Sequence, residues 1–362
     1  MTASRDAAWM DRAMELAERG RGRTSPNPLV GAVVVSPDGI VVGQGAHLVA
    51  GGPHAEVHAL DMAGLRARGA TLYCTLEPCS HTGRTGPCAE RVVRAGIRRV
   101  VVATPDPNPR VSGAGLAYLR AHGVDVVEGP GRARAHDQNA PFFTWVTRHR
   151  PFVTLKAAVS RDAFVGVAGG RVRLTGPEAD RFFHRQRAEI DALAVGSGTV
   201  LADDPLLTAR GAYRHRPLTR VVFDWNARVP PGARLFSTLG AGPVIMVVGS
   251  DAAARQRAVL DGLASRGVTV EPLAARSIHA ALDRLASREV LSLLVEGGPR
   301  LHDAFLDAGA VDRVQVALTP HEVGTGEPLG QAMRRFLDAA AASRVMALGE
   351  DRVIETDVHG SH

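Results

Sequence analysis

Four residues of this chain have the types and spacing for metal-assisted chemistry. They are His54 and Glu56 in "PHAEVHAL", and Cys79 and Cys88 in "EPCSHTGRTGPC". Residues two apart on a helix project about 200° from one another. His54 and Glu56 can therefore share a task only at a helix end. One imidazole and two thiolates make a three-donor zinc set with the fourth position open, as catalytic zinc sites require. Pro78 and Pro87 precede the two cysteines. His54 and Cys88 fall at predicted helix starts, where proline is tolerated and the positive end of the helix dipole favours a thiolate. Glu56 is then not a ligand but the general acid/base, passing a proton from an activated water to a departing amine. A purely structural zinc would need a fourth donor, with His58, His81 and Cys74 as candidates, and would leave Glu56 without a task. Cys74 alternates with the apolar residues of "TLYCTLE" and reads as core. His58 lies one helical turn past His54 and reads as a half-buried surface histidine.

The elements that must position these residues alternate along the chain. A helix is predicted over roughly Arg5 to Arg19, and "LVGAVVVS" and "IVVGQGAH" flank "PDG" as a hairpin. A helix from His54, the strand "TLYCTLE", a helix near Cys88, the strand "RRVVVAT", a helix over Gly115–His122 and the strand "VDVVEG" follow. This is an α/β layer structure with a mixed sheet. The segment "PFFTWVTRHRP" is expected to hold a boundary, giving domains over 1–147 and 148–362. The second half alternates again. It runs through "FVTLKAAVS", a helix in "PEADRFFHRQRAEI", "ALAVGSGTV", "RVVFDW", "VIMVVGS", a helix over Ala252–Arg266 and "VTVEPL". A helix over Ile278–Ala286, "SLLVEGGP", a helix near Leu301–Ala308 and "DRVQVAL" complete it. The end, "DVHGSH", reads as frayed.

Composition bounds the function. At 362 residues two domains are expected, and 45% hydrophobic with 22% charged residues fits a soluble globular protein. No apolar run is long enough for a membrane span, and the acid-bearing N-terminus lacks the middle of a secretory signal. Three clustered cysteines argue for a metal or catalytic site rather than a disulfide framework. The net charge of +6 comes with only 4% aromatics and no basic block interleaved with them, which argues against a nucleic-acid partner.

The His-x-Glu and Pro-Cys pattern is that of zinc deaminases acting on cytosine or adenine rings, whose cysteines stand two residues apart. Here eight residues intervene. With that longer gap, "HAEVHAL" and "TLEPCSHTGRTGPC" resemble the deaminase half of the bifunctional riboflavin-biosynthesis deaminase/reductases. The resemblance extends to "GRTSPNPLVGAVVV", "DPNPRVSGAGLAYLRAHGVDV", "PFVTLKAAVS", "HRQRAEIDALAVGSGTVLADDPLLTAR" and "LLVEGGPRLHDAFLDAGAVD". It implies a cytidine-deaminase-like three-layer domain followed by a dihydrofolate-reductase-like α/β domain. The first half would hydrolyse an amino group from a diaminopyrimidinone ribosylamino 5-phosphate. The second would reduce the ribosyl group to ribityl with NADPH. By the same resemblance His54, Cys79 and Cys88 bind zinc, Glu56 carries the proton, and Asn27 helps hold the pyrimidine. A cytoplasmic homo-oligomer with a small phosphorylated substrate, and with neither membrane nor nucleic acid as partner, is the expectation. A deaminase with a weak or non-catalytic reductase domain, and a nucleic-acid deaminase, are the alternatives.

Read from residues alone, the second half says less. "VGSGTV" and "VEGGP" are Gly-rich turns that let backbone amides approach a phosphate, but neither is the dinucleotide fingerprint. The resemblance matches Thr199 and Asp203 to cofactor contacts, and Gly297 and Gly298 to the cofactor loop. It matches Arg187, Leu207, Arg210 and Glu296 to substrate positions, and Lys156 to a lysine typical of this half. The chain departs from the family at several points. Ser160-Arg161-Asp162-Ala163 stands for Ser-Leu-Asp-Gly, Arg173 for an aromatic, Gly176 for a serine, and Trp225 for the serine after "VVFD".

Overall fold

The computed structural model describes residues 2–80, 86–108, 112–167, 173–339 and 344–358. The chain divides into two compact units, Met1–His149 and Arg150–Ser361. No helix among the described residues is long and apolar enough to cross a membrane.

The first unit runs α1 (Thr2–Ala17), β1 (Gly31–Val35), β2 (Val41–Ala46), α2 (Ala55–Ala63), β3 (Thr71–Cys74), α3 (Cys88–Arg94), β4 (Arg99–Val102), α4 (Ala114–Ala121), β5 (Asp125–Glu128), α5 (Arg132–Gln138) and α6 (Ala140–Arg148). Its sheet has the order β2-β1-β3-β4-β5. The predicted hairpin is present, with Ala32 opposite Gly45, and β3, β4 and β5 are parallel. Strand alternation decides the two faces. Ala32, Val34, Leu72, Cys74, Val100 and Val102 join a core with residues of α2, α3 and α4. Val33, Val35, Tyr73 and Val101 turn the other way onto Met10, Ala13 and Met14 of α1. Cys74 is fully buried in the first core, as its place in the alternation predicts. The helices α5 and α6 are not in the sequence reading, and most of the segment expected to hold the boundary is α6.

Glycines on β2 bring α2 to its place. A Cβ on Gly43 would lie 2.0 Å from the Ala59 carbonyl oxygen, and one on Gly45 would lie 2.4 Å from that of Ala55. With Ala55, Ala59 and Ala63 facing the sheet, α2 rests on the strand backbone itself. Any side chain at those two glycines would push the helix, and the residues at its tip, away from the sheet.

The second unit runs β6 (Phe152–Val159), β7 (Phe164–Gly166), α7 (Pro177–Glu189), β8 (Ala192–Gly196), α8 (Ser197–Asp203), β9 (Thr219–Phe223), β10 (Val244–Gly249), α9 (Ser250–Arg255), α10 (Arg257–Ser265), β11 (Thr269–Leu273), α11 (Ile278–Ala286), β12 (Ser292–Val295), α12 (Pro299–Asp307), β13 (Arg313–Leu318), β14 (Glu327–Pro328), α13 (Gln331–Ala339), β15 (Arg344–Leu348) and β16 (Asp351–Asp357). A nine-stranded sheet has the order β11-β10-β9-β8-β12-β6-β13-β16-β15. The seven strands from β11 to β13 are parallel, β16 is antiparallel to β13, and β15 is antiparallel to β16. Continuous apolar runs such as "VIMVVG" are what a sheet covered on both faces requires. Ile245 and Val247 enter one core, and Val244, Met246 and Val248 the other. The helix expected over Ala252–Arg266 is interrupted at Gln256, whose φ is −104°.

One family departure leaves a mark on the backbone. Ala163 has φ +67°, in the left-handed region where a Cβ is strained and glycine is not. Replacing Ala163 by glycine is expected to stabilise the second unit by about 1 kcal/mol. Urea unfolding of the two proteins measures this, and a loss of stability would contradict it.

Candidate active site

The first site is built at the tip of α2. His54 is the N-cap residue, with extended φ −72° and ψ 161°, so it lies outside the helix while Glu56 occupies the first turn. The strand β3 leads through Pro78 to Cys79, and Cys88 opens α3. The His54 Nδ1 lies 3.5 Å from the Cys79 Sγ and 3.3 Å from the Cys88 Sγ. All three donor atoms fall within 4.8 Å of one another. The Cys88 N–H donates to the Cys79 Sγ at 3.4 Å and the Ala89 N–H to the Cys79 carbonyl at 3.0 Å, locking the two cysteines together. His58 and Cys74 do not join the cluster, and His81 lies outside the described residues.

Electrostatics suit this set to a soft dication. The Cys79 thiol is pulled down to about 4, first by a hydrogen bond from Cys88 and then by His54, against the effect of burial. Cys88 is pushed up, first by sharing its proton with Cys79 and then by burial. Two sulfurs competing for one proton beside an imidazole are a donor set that a zinc ion would satisfy by taking both as thiolates. Glu56 is only 3% exposed. Burial pushes its carboxyl up to about 7, with His54 pulling the other way. Its Oε2 is buried with no hydrogen-bond partner among the described residues. Buried carboxylate oxygens are usually paired. Asp224 Oδ1 is also unpaired among the described residues, but it is Glu56 whose titration His54 and Cys79 of the donor cluster influence, which suits it to meet a group that arrives there.

Asn27 is held by His47, a residue the sequence reading passed over. The His47 Nδ1 lies 3.0 Å from the Pro53 carbonyl and its Nε2 3.1 Å from the Asn27 Nδ2. With Nδ1–H donating to Pro53, Nε2 accepts from the Asn27 amide, which leaves the Asn27 oxygen to accept from a ligand. Burial pulls the pKa of His47 down, in keeping with that neutral form. Asn139 ties the same loop down, since the Leu29 N–H donates to its Oδ1 at 2.7 Å and its Nδ2 donates to the Leu29 carbonyl at 2.9 Å. Glu77, also passed over, accepts backbone N–H groups from Asp106 at 3.1 Å, Gly113 at 3.0 Å, Gly115 at 2.8 Å and Leu116 at 3.3 Å. It thereby anchors the segment carrying Cys79 to the start of α4. Both sit in motifs quoted above, but their contacts reach distant loops and leave no local signal.

The second site is a cleft of about 680 Å³ in the second unit. Lys156, Thr199, Asp203, Glu296, Gly297 and Gly298 line it. It crosses the carboxyl ends of the parallel strands, where open α/β sheets bind ligands. Gly298 is the N-cap of α12, whose first residue Pro299 has no N–H and whose Leu301 and His302 N–H groups bond back to the Gly298 carbonyl at 3.0 and 3.2 Å, so the helix start has only the Arg300 N–H to offer an anion. Arg187, Leu207 and Arg210 lie outside the lining. Arg187 is not on a solvated helix face. Its Nε donates to Glu296 Oε1 at 2.6 Å, its second terminal nitrogen contacts Oε2, and only 17% of its side chain is exposed. Leu207 is buried with φ +56°. Arg210 is exposed, and its backbone N–H donates to His184 Nδ1 at 3.2 Å. Lys156 stands 4.5 Å over the Phe183 ring. Burial pulls its ammonium down while Glu296 pulls it up. His302 of α12 also lines the cleft. Burial pushes it down to about 4, so it is neutral.

Of the family departures, Trp225 lines this cleft and Arg161, Ala163, Arg173 and Gly176 stand outside its lining. Ser160 Oγ–H donates to Asp162 at 2.6 Å, and Asp162 accepts from the Val323 and Gly324 N–H groups at 3.1 and 2.6 Å. Arg161 pairs with Glu322 at 3.7 Å and Arg173 with Asp180 at 2.6 Å. The Gly176 N–H donates to Asp351 at 2.7 Å. Trp225 lines the cleft itself.

Comparisons with known proteins match both halves of the chain. Residues 3–104 match the cytidine and deoxycytidylate deaminase zinc-binding region, and residues 151–336 match the RibD C-terminal domain. The riboflavin biosynthesis protein RibD of Aquifex aeolicus is 40% identical over 353 residues, covering 96% of this chain and 97% of that protein. RibD of Escherichia coli K12 is 39% identical, covering 88% of this chain and 89% of its own. Among solved structures, Acinetobacter baumannii RibD is 33% identical with a TM-score of 0.86, over 99% of this chain and 100% of that one. A Thermotoga maritima diaminohydroxyphosphoribosylaminopyrimidine deaminase/5-amino-6-(5-phosphoribosylamino)uracil reductase is 32% identical with a TM-score of 0.85, over 99% of both chains. With a zinc-type donor cluster in a deaminase fold and a cleft in a RibD C-terminal domain, the chain belongs to the RibD family of riboflavin biosynthesis proteins, bifunctional deaminase/reductase enzymes.

Proposed function

We propose that residues 1–147 hydrolyse the amino group of a diaminopyrimidinone bearing a ribosylamino 5-phosphate, and that residues 148–362 then reduce its ribosyl group to ribityl with NADPH. The observation that carries the first step is the buried, partnerless Glu56 oxygen beside three convergent donors. His54, Cys79 and Cys88 would hold zinc, which when bound supplies a Lewis acid that activates water near neutral pH. Glu56 would take up a proton at its buried, unpartnered Oε2 and give it to the departing amine. Asn27, oriented by His47, accepts a hydrogen bond from the pyrimidine edge. The site is closed to bulk water on the Glu56 side, so the proton moves between fixed partners.

For the second step, Thr199, Asp203, Gly297 and Gly298, which line the cleft, would hold the cofactor, which when bound supplies the hydride. Lys156 and Glu296, which line the same cleft, would face the sugar, and Arg187 orients Glu296. Hydride transfer then depends on holding the nicotinamide carbon close to the sugar carbon. Leu207 and Arg210 belong to the phosphorylated sugar. The three free cysteines and a phosphorylated substrate suit a cytoplasmic, reducing setting. Leu65, 98% exposed, and Met62, 55% exposed, give the first unit an apolar surface suited to a second copy. Light scattering that finds only monomers would remove the homo-oligomer.

Incubation of the pure protein with the diaminopyrimidinone phosphate is expected to release ammonia, and added NADPH to yield the ribityl product. Ammonia without NADPH consumption would leave the deaminase alone. Cys79→Ala is expected to lose both stoichiometric zinc and ammonia release, because two protein donors do not hold a catalytic zinc. Elemental analysis showing full zinc in that variant would overturn the ligand assignment.

A further inference from the structure

The loop that carries Leu207 and Arg210 is held by side chains. Among the described residues, no backbone group of 205–216 bonds to another backbone group. One end is fixed by Leu207, whose side chain is buried in a core of the second unit. The other is fixed by Arg214, whose guanidinium donates to the Arg187 and Ile190 carbonyls at 2.6 and 2.7 Å. Those carbonyls lie at the C-terminal end of α7, where a helix leaves its acceptors without partners. Between the two ends, α7 offers two more side chains. His184 and Arg187 are three residues apart and share a helix face. Besides its pair with Glu296, Arg187 places a terminal nitrogen 3.4 Å from the Thr208 carbonyl. His184 accepts the Arg210 N–H on its Nδ1 at 3.2 Å.

The imidazole makes one hydrogen bond to Arg210 and not two. Its Nε2 lies 3.5 Å from a terminal nitrogen of the same arginine. A neutral ring has one accepting nitrogen and one N–H. With Nδ1 accepting from the backbone, Nε2 carries the hydrogen and meets the guanidinium donor with a donor. A protonated ring would accept from neither. Burial pulls the pKa of His184 down, and so do Arg187 and Arg210, against Glu296 and Asp180, in keeping with the neutral form. The main chain of Arg210 is therefore fixed while its side chain stays unbonded to the ring. Among the described residues no carboxylate lies within ion-pair distance of that guanidinium, and its N–H groups are open to an anion.

We propose that His184 is a positioning residue of the reductase site, which holds the Arg210 backbone so that the guanidinium is presented to the phosphate of the sugar substrate. The proposal rests on the reading of Arg210 as a contact of the phosphorylated sugar. Without the His184 acceptor, the segment between Leu207 and Arg214 loses its tie at Arg210. The arginine then has to be ordered when the substrate binds, which weakens binding. Hydride transfer itself is spared, because Lys156, Glu296 and the glycines after β12 stand on other elements.

The test compares two variants of the full chain. His184→Leu keeps the bulk and removes the acceptor. His184→Gln supplies an amide oxygen that accepts the same N–H. His184 is half-buried on a helix surface, so both variants are expected to fold, with circular dichroism as the check. NADPH consumption is followed against the deaminated phosphate substrate, with ribose 5-phosphate as a competing probe. His184→Leu is expected to raise KM, and the inhibition constant of ribose 5-phosphate, by about five-fold, as the loss of one neutral hydrogen bond implies. Its kcat should stay within about two-fold of wild type, since the lost interaction serves ground state and transition state alike. His184→Gln is expected to bring both constants back to within about two-fold of wild type. An unchanged KM in His184→Leu, or a fall in kcat without a rise in KM, would overturn the proposal. So would failure of His184→Gln to restore KM, which would make the packing of the ring the cause and not its accepting nitrogen. A wild type that consumes no NADPH would remove the reductase reading and this role with it, whereas turnover with a KM indifferent to residue 184 removes this role alone.

Discussion

Glu56→Gln is expected to abolish ammonia release while zinc stays bound. The substitution keeps the shape of the side chain and removes its capacity to carry a proton. General acid/base catalysis contributes about 10²- to 10⁴-fold, so the residual rate should fall by at least that much. The donor atoms are untouched, because Glu56 is not among the three that converge. Stability should change little or rise slightly, since the buried Oε2 has no partner to lose and an amide is less costly to bury than a carboxylate. Ammonia assay, elemental analysis and thermal unfolding on one preparation check all three. Full activity in this variant would leave only a structural metal. Loss of zinc together with activity would make Glu56 part of the metal's support.

The second large effect lies in the Arg187–Glu296 pair. Both side chains are mostly buried, at 17% and 9% exposed. Removing one partner of a buried pair leaves an uncompensated charge and costs about 3–5 kcal/mol. Arg187→Met is therefore expected to destabilise the second unit by about 3 kcal/mol, at the low end because Lys156 still attracts Glu296. Arg187→Met/Glu296→Leu should recover most of that stability and none of the reductase activity, separating structural from chemical loss. The pair also has a pH signature. Despite the opposing effect of burial, Arg187 holds the Glu296 carboxyl down at about 2, below its ordinary 4.5. A depressed carboxyl contributes stability that is fully present above pH 4.5 and is lost as pH falls through about 2. The contribution at neutral pH is on the order of 3 kcal/mol. Urea unfolding at pH 6, 4 and 3 should show it as a decline in the wild type that is shallower in Glu296→Gln. Parallel pH dependence in the two proteins would show that the pair is not ionised as described.

The sequence by itself determined the parts whose physics is local. Alternation in "VGAVVV", "TLYC" and "RVVV" assigned strand faces, and the short gap from Cys79 to Cys88 brought two thiols together. His54 and Glu56 had to meet at a helix tip because two helical residues so spaced never share a side. The family motifs supplied the deaminase and reductase assignments. What the sequence could not show was contact between distant segments. Arg187 and Glu296 are 109 residues apart, and nothing near either announces the other. Asn139 and Glu77 act on backbone groups of remote loops, and His47 acts on the side chain of Asn27, twenty residues back. The helices α5 and α6 were hidden in a segment read as a boundary. Trp225 looked like a simple departure until strand order set it in the wall of a cleft with Arg276 over its ring. Periodicity and short motifs are written along the chain. Pairing across a sheet and burial of a charge depend on which strand ends become neighbours, and only the folded arrangement decides that.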